Sequence, residues 1–126
     1  MLYILSTIPH PAHGSTTNHG SLHGPGYSGG SALTRTYLLP TGTVSSGFHT
    51  YAIEWKTNQI TYLVDDVAYQ TLTPSSLPAN TRWVFDHPFF ILLDLAVGGN
   101  FVGSPDGNTT FPQSMLVDYV RVYSAQ

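Results

Sequence analysis

Cysteine is missing from this sequence and charged residues are scarce, and each scarcity excludes a class of function. Without cysteine the 126-residue chain forms neither disulfides nor a thiol nucleophile. Charged residues make up 9% of the chain. It has 4 lysines and arginines and 7 aspartates and glutamates, which gives a formal net charge of -3. So few cations cannot neutralise a phosphate backbone, and we therefore expect no nucleic-acid partner.

Long apolar runs are missing as well. No stretch reaches the roughly 20 apolar residues that a membrane-spanning helix needs, so we expect no membrane insertion. The opening run from Met1 to Ile8 is short and lacks the cationic start of a signal peptide. We interpret it as an edge strand or as sequence acquired at a truncated start. Residues 1–17 are predicted to form an atypical segment ahead of a single domain at residues 18–126.

The residues that are present favour short strands and turns. Glycine, proline, serine and threonine are abundant, and aromatic residues reach 13%. Alternation of side-chain character from Phe48 to Trp55 predicts a strand, with His49 and Tyr51 on the same face as Trp55. Ile60–Val64 is predicted to return beside it, and Asp65-Asp66 to turn the chain into a third strand at Val67–Leu72.

The second half of the chain contains loops and two further strand signals. Residues 73–78 predict a loop or one short helical turn. The nearly continuous apolar run from Phe89 to Val97 predicts a central strand that is covered on both faces. Met115–Tyr123 predicts a final strand, and no helix of ordinary length is visible. We therefore predict an all-β fold, either a β-sandwich or a jelly roll.

Five strings in a fixed order resemble family 16 of the glycoside hydrolases, in its laminarinase-type form, from about residue 17 to residue 124. They are Leu22-His23-Gly24-Pro25-Gly26-Tyr27-Ser28-Gly29-Gly30, Phe48-His49-Thr50-Tyr51-Ala52-Ile53-Glu54-Trp55, Trp83-Val84-Phe85-Asp86-His87-Pro88-Phe89-Phe90, Leu95-Ala96-Val97-Gly98-Gly99-Asn100-Phe101 and Val117-Asp118-Tyr119-Val120-Arg121-Val122-Tyr123. The resemblance implies a concave, concanavalin A-like β-jelly roll. It also implies a secreted protein that acts on β-1,3- or mixed-linkage β-glucan by retaining hydrolysis.

The family's catalytic motif, Glu-x-Asp-x-x-Glu, is expected just before the string around His23. Residues 9–14 stand there instead and contain no acid, and Glu54 is the one glutamate among the 126 residues. Retaining hydrolysis requires two carboxyl groups about 5–5.5 Å apart. We therefore expect that these residues alone do not hydrolyse glucan by the family mechanism. Asp94, which stands where the family pattern has asparagine, and Glu54 are the only substitute acids we consider, and Asp94 has a structural role as its alternative.

The resemblance also suggests substrate-binding residues. His23 matches a strand position beside the family's catalytic acids, where it either hydrogen-bonds sugar or holds a structural partner. Trp83 and Phe101 are candidates for flat surfaces on which a sugar ring stacks, with core packing as the alternative, whereas we assign Trp55 to the core. We expect His49 to pack or to lie on the sheet surface rather than to act in catalysis.

Calcium and histidine-bound metals are the cofactors that the sequence leaves open. Asp118 matches an acid of the last strand that, in the family, helps to bind a structural calcium ion. Calcium takes six to eight oxygen ligands, and the resemblance places most of the others in a part of the family sequence that precedes this chain. Zinc is the other alternative, because four histidines lie close together in the sequence. They are His10, His13, His19 and His23. We expect no cofactor to be required.

A different hydrolase chemistry is the remaining alternative. Residues 26–30 fit Gly-x-Ser-x-Gly, the nucleophile elbow of ester hydrolases, with Ser28 as the nucleophile, but no helix pattern follows Gly30. The sequence thus leaves three functions open: a family 16-like protein of β-glucan metabolism, a non-catalytic glucan-binding module, and an ester or lactone hydrolase. Since six or seven strands are too few for two full sheets, we also expect a homodimer or higher oligomer.

Overall fold

The computed structural model describes residues 2–6, 15–100, 103–105, 107 and 109–124, and these form two units, residues 1–90 and 91–126. The first unit contains six strands in two antiparallel sheets. They are β1 (Leu2–Ser6), β2 (Thr17–Leu22), β3 (Leu33–Leu38), β4 (Tyr51–Lys56), β5 (Gln59–Val64) and β6 (Val67–Leu72). Sheet A has the order β1-β2-β3 and sheet B the order β4-β5-β6. The all-β prediction is therefore confirmed.

Sheet A begins with the apolar run at the start of the chain. β1 pairs only with β2, with Leu5 opposite His19 and Tyr3 opposite Ser21. The prediction of an edge strand in this run is confirmed for Leu2–Ser6. The predicted domain boundary at residue 17 stays a prediction, although β1 and β2 pair across it.

Sheet B is the predicted three-strand meander. β4 begins three residues later than the alternation predicted, at Tyr51, and β6 occupies the predicted Val67–Leu72. The turn between β5 and β6 consists of Asp65 (φ 48°) and Asp66 (φ 63°). Two successive left-handed residues give the twist that a two-residue hairpin requires. Short 3-10 turns occur at Gly29–Ser31 and, within the predicted loop, at Pro74–Ser76.

The core of the first unit lies between the two sheets. Its largest fully buried side chains include Leu22 from sheet A, Ile60 and Tyr62 from sheet B, and Tyr27 and Phe85 from the connections. The buried hydroxyls of the two tyrosines are satisfied by main-chain acceptors, as buried polar groups must be. The hydroxyl of Tyr62 donates to the Ser21 carbonyl over 2.9 Å, and that of Tyr27 to the Arg82 carbonyl over 3.0 Å.

The two apolar runs of the second half do not form the predicted strands. Neither Phe89–Val97 nor Met115–Tyr123 is a strand, and the one regular pairing described beyond residue 90 is the bridge between Gly99 and Gly103. Their side chains are also largely exposed, as Phe90 (80%) and Leu116 (76%) show. Apolar pattern alone does not make a strand, because each strand needs a hydrogen-bonded neighbour. Within the described ranges, no helix is long and apolar enough to cross a membrane.

Candidate functional site

The outer face of sheet A carries a row of uncharged polar side chains. Along β2 the inward positions Asn18, Gly20 and Leu22 alternate with His19 and Ser21, which therefore point away from sheet B. The register places Thr36 opposite His19 and Thr34 opposite Ser21. We call His19, Ser21, Thr34 and Thr36 the polar stripe.

The stripe is organised by cross-strand hydrogen bonds. The hydroxyls of Ser21 and Thr34 lie 2.8 Å apart, and the hydroxyl of Thr36 lies 2.9 Å from Nδ1 of His19. Burial lowers the pKa of His19 and also that of His23, which follows β2 directly. Both imidazoles are therefore neutral at pH 7, and the stripe presents hydroxyl and imidazole groups without a fixed charge.

Close packing beneath β2 holds the stripe in place. A Cβ atom at Gly20 would lie 2.8 Å from Cδ1 of Tyr62 and would also overlap the hydroxyl of Tyr69. Glycine thus lets the middle of β2 lie directly on sheet B, and the Tyr62 hydrogen bond to the Ser21 carbonyl fixes the distance. The polar stripe consequently stands on a rigid support rather than on a loop.

Glu54, the substitute acid of the first unit, lies on a different face from the polar stripe. Glu54 is exposed on β4, and its neighbour Ile53 packs inward on the core, so Glu54 points to the outer face of sheet B. The outer faces of two packed sheets are opposite sides of a layer whose sheets are about 10 Å apart, so Glu54 does not reach the stripe. Asp94 is exposed and belongs to the second unit. Beside the stripe, β1 has the sequence Leu-Tyr-Ile-Leu-Ser and contributes no carboxylate.

The two tryptophans pack at the end of β4. Trp83 contacts the core, its ring lies edge-on to Phe85 at 5.1 Å between centroids, and its indole N–H donates to the Thr57 carbonyl over 2.8 Å. Trp55 is 41% exposed, so its predicted place in the core is wrong, and its indole N–H donates to the Phe85 carbonyl over 2.7 Å. These contacts give Trp83 a packing role, and its role as a sugar platform stays a prediction. Phe101 lies outside the described residues.

Ser28 does not have the geometry of a nucleophile elbow. Its backbone is extended (φ −137°, ψ 169°), and only the three-residue 3-10 turn Gly29–Ser31 follows. An elbow requires a sharp, strained turn between a strand and an α-helix. The preceding Tyr27 is anchored in the core instead, which accounts for this string structurally. Ester hydrolysis at Ser28 stays an untested alternative.

Metal ligands are not grouped in the described part of the chain, where no three histidine or acidic side chains come together. Two of the four clustered histidines, His10 and His13, lie outside the described residues. Asp118 is exposed in the second unit, and the calcium hypothesis for it stays a prediction.

Sequence reasoning missed the hydroxyl members of the stripe. Ser21, Thr34 and Thr36 have no motif of their own, and only the pairing of β2 with β3 brings them together. Alternation in β2 could have indicated that His19 and Ser21 share a face. The strand that lies opposite could not be identified, because register depends on the whole sheet.

Comparison with known proteins finds a family model and several relatives, β-glucanases among them. The family model described as glycosyl hydrolases family 16 matches residues 12–121. A β-glucanase of Rhodothermus marinus is 36% identical over 110 residues, which are 83% of this chain and 38% of the relative. A β-1,3-glucan-binding protein of Penaeus monodon is 28% identical over 120 residues, which cover 82% of this chain and 32% of that protein.

A solved structure supports the same relationship. The laminarinase catalytic domain of Thermotoga maritima MSB8 superposes with a TM-score of 0.73 and 43% identity, over 79% of this chain and 41% of that one. The predicted jelly-roll sandwich is thereby confirmed. The chain spans about two fifths of the length of these two bacterial proteins. Because the family model covers most of its residues, the chain belongs to family 16 of the glycosyl hydrolases.

Proposed function

We propose that this chain binds β-glucan on the outer face of sheet A and that its described residues do not cleave the polymer. The observation that supports binding is the polar stripe, in which neutral imidazole and hydroxyl groups lie in hydrogen-bonded pairs on a rigid sheet. Sugars are uncharged and rich in hydroxyl groups, so they can both donate hydrogen bonds to such groups and accept them, and no charged group has to lose its water. The β-glucan-directed names among the relatives support the choice of ligand. An extracellular location follows from the same proposal and stays a prediction.

The separation of the acids supports the second half of the proposal. A retaining glycosidase needs two carboxyl groups about 5–5.5 Å apart on either side of the scissile bond. Glu54 stands on the opposite outer face from the stripe, and β1, which flanks the stripe, has no acid. The stripe therefore has hydrogen-bonding groups for a sugar but no nucleophile and no carboxylic acid for its cleavage.

Affinity electrophoresis in gels that contain laminarin tests the binding site. Thr36→Val removes the hydroxyl beside His19 while keeping the β-branched shape, and we expect it to reduce the retardation that wild type shows. Thr71→Val is the matched control, because Thr71 forms a similar pair with Thr61 (3.1 Å) on sheet B. Equal retardation of wild type and Thr36→Val, or equal losses in both variants, would contradict the assignment.

Release of reducing sugar from laminarin tests the absence of cleavage. We expect a homogeneous sample, verified by mass spectrometry, to release no more sugar than a blank. If sugar is released, Glu54→Gln and Asp94→Asn identify the acid responsible, and loss of activity in either variant would refute this part of the proposal.

We also propose that the isolated chain self-associates. In the second unit large apolar side chains are exposed, among them Leu92 (65%), Leu116 (76%) and Val122 (79%). Exposed apolar groups of this size usually contact another protein surface. Among the described residues, each three-stranded sheet also ends in two edge strands, which can recruit a further strand. Multi-angle light scattering at micromolar concentration should show a dimer or larger species. A monomer with a cooperative melt would contradict the proposal.

A further inference from the structure

A small open cavity lies at the end of β4, apart from the polar stripe. Its volume is about 260 Å³, and Trp55, Lys56 and Thr57 line one side of it while residues 85–88 line the other. The stripe is on the outer face of sheet A, whereas Trp55 lies opposite Ile60 on the inner face of sheet B. The two features are therefore separate surfaces of the first unit.

Two reciprocal hydrogen bonds make the cavity rigid. The indole N–H of Trp55 donates to the Phe85 carbonyl over 2.7 Å, and the indole N–H of Trp83 donates to the Thr57 carbonyl over 2.8 Å. Each tryptophan thus ties its own segment to the main chain of the other segment. A cavity fixed in this way is formed before any ligand arrives, which reduces the entropy lost on binding.

The cavity combines an aromatic wall with a polar rim. Trp55 remains 41% exposed although its N–H is bonded, and Phe89 supports it with ring centroids 5.5 Å apart. His87 stacks on Phe89 at 4.5 Å, and its Nδ1 lies 3.3 Å from a carboxylate oxygen of Asp86. The side chains of His87 and Asp86 are 58% and 60% exposed, so both can contact a ligand from solution.

We propose that this cavity binds one pyranose ring of the glucan, as a second sugar contact beyond the polar stripe. The apolar C–H face of the ring would lie on Trp55, and its hydroxyl groups would bond to Asp86 and His87. A volume of about 260 Å³ is just below the roughly 300–1,000 Å³ of drug-sized sites, which suits one ring rather than an oligosaccharide. The identity of the sugar rests on the proposed function.

A β-strand from another chain is the competing occupant, and the polar rim disfavours it. An added strand would pair along the edge of β4, but Thr57 and residues 85–88 lie in a turn and a loop beyond its last residue, Lys56. It would also have to remove water from Lys56, Asp86 and His87 while its main-chain N–H and C=O groups on that side are used in pairing with β4, which is unfavourable. Sugar hydroxyl groups supply both donors and acceptors.

Tryptophan fluorescence during titration with laminaribiose tests the site, with cellobiose and mannobiose as linkage and sugar controls. We expect a saturable change in emission, because Trp55 lines the cavity. Asp86→Asn and His87→Ala alter exposed side chains and should leave the fold intact. Loss of a hydrogen bond to a charged group predicts about tenfold weaker binding in Asp86→Asn. Glu54→Gln, on the opposite face of β4, is the matched control and should bind like wild type.

The outcomes separate this inference from the proposed function. No saturable change in wild type, or the same titration curve in Asp86→Asn and His87→Ala as in wild type, would overturn the second site. Thr36→Val in the polar stripe should leave the laminaribiose response unchanged. If Thr36→Val is retarded by laminarin as strongly as wild type, the polar stripe is not the glucan-binding site, even when the cavity binds laminaribiose. If Thr36→Val loses retardation and laminaribiose does not change the tryptophan emission of wild type, only the proposed binding site at the cavity is wrong.

Discussion

The imidazole of His49 connects a loop to the hairpin of sheet B, and its protonation should govern part of the stability. Nδ1 of His49 lies 2.7 Å from Oδ2 of Asp65, and Nε2 lies 3.2 Å from the Thr43 carbonyl oxygen. Both partners can only accept, so the two hydrogen bonds form together only when both ring nitrogens carry hydrogen, which favours the charged form of the ring. The hydrogen bond to Asp65 is the main reason that the pKa of His49 is raised.

The carboxylate of Asp65 is held from two directions. Burial by itself would raise its pKa, but the hydrogen bonds from His49 and from the Thr50 main-chain N–H (2.9 Å) outweigh it, and the net pKa is lowered. A raised histidine pKa contributes stability that is complete below the unfolded value of 6.5 and is lost as the pH rises through the folded value. A lowered aspartate pKa contributes stability above 3.8 that is lost as the pH falls. The pair should therefore stabilise the fold most between about pH 4 and 6.5.

Asp65→Asn removes the charge and preserves the turn, because asparagine tolerates the left-handed conformation (φ 48°). Hydrogen bonds to charged groups contribute roughly 1.5–3 kcal/mol. Asp65 is 45% exposed, so screening by solvent reduces the expected loss to about 1 kcal/mol. In a chain of this size that corresponds to a melting temperature lower by about 3–6 °C.

Thermal melts followed by circular dichroism at pH 5.5 and 8.5 measure this effect. The difference between wild type and Asp65→Asn should be present at pH 5.5 and should be smaller at pH 8.5, because the protonated fraction of His49 falls as the pH rises. Asp66→Asn changes the adjacent turn residue, which has no contact with His49 in the described structure, and should melt like wild type at both values. A difference that is the same at both pH values, or an equal loss in Asp66→Asn, would refute a stabilising ion pair between His49 and Asp65.

Two further predictions concern the packing of the first unit. Gly20→Ala places a methyl group 2.8 Å from a Tyr62 ring carbon, and we expect the free energy of unfolding in urea to fall by about 2 kcal/mol. Gly30→Ala, which meets nothing within 4 Å, should be close to neutral, and a similar loss in both would contradict the close approach of the sheets. Tyr27→Phe removes the 3.0 Å hydrogen bond to the Arg82 carbonyl, with an expected loss of about 1 kcal/mol in the same assay. An unchanged midpoint would mean that water replaces the lost donor.

The sequence predicted local strand pairs better than it predicted long-range ones. Sheet B could be predicted because alternation and the Asp65-Asp66 turn lie within 22 consecutive residues and determine each other's register. The prediction of a central strand at Phe89–Val97 was wrong, because an apolar run indicates only that its side chains favour burial. Whether a run becomes a strand depends on neighbours that may lie anywhere in the sequence, and none pairs with this one in the described structure.

In the candidate site, too, residues within one motif were easier to predict than contacts between distant segments. His23 was placed from a motif, and the structure does put it directly after β2, next to the stripe. The stripe itself depends on β3, whose sequence Leu-Thr-Arg-Thr-Tyr-Leu contains no motif. The two hydrogen bonds of His49 were also missed, because their acceptors Asp65 and Thr43 lie 16 and 6 residues away on different segments. The sequence predicted a packing or surface role for His49, and the structure adds a hydrogen bond to Asp65 that raises the pKa of the imidazole.

The arrangement of the first unit makes sugar binding and bond cleavage physically separable. The proposed binding on sheet A depends on the hydroxyl pairs and on the contact of Gly20 with Tyr62, all of which lie between β2, β3 and β5. Cleavage would depend on carboxylates that flank the same face, and the strand in that place, β1, has none. Adding such an acid would not disturb the packing beneath the stripe, because strand residues that point outward contribute nothing to the layer between the sheets. The proposed affinity of this sheet for glucan therefore does not require that the neighbouring strand supply the acids.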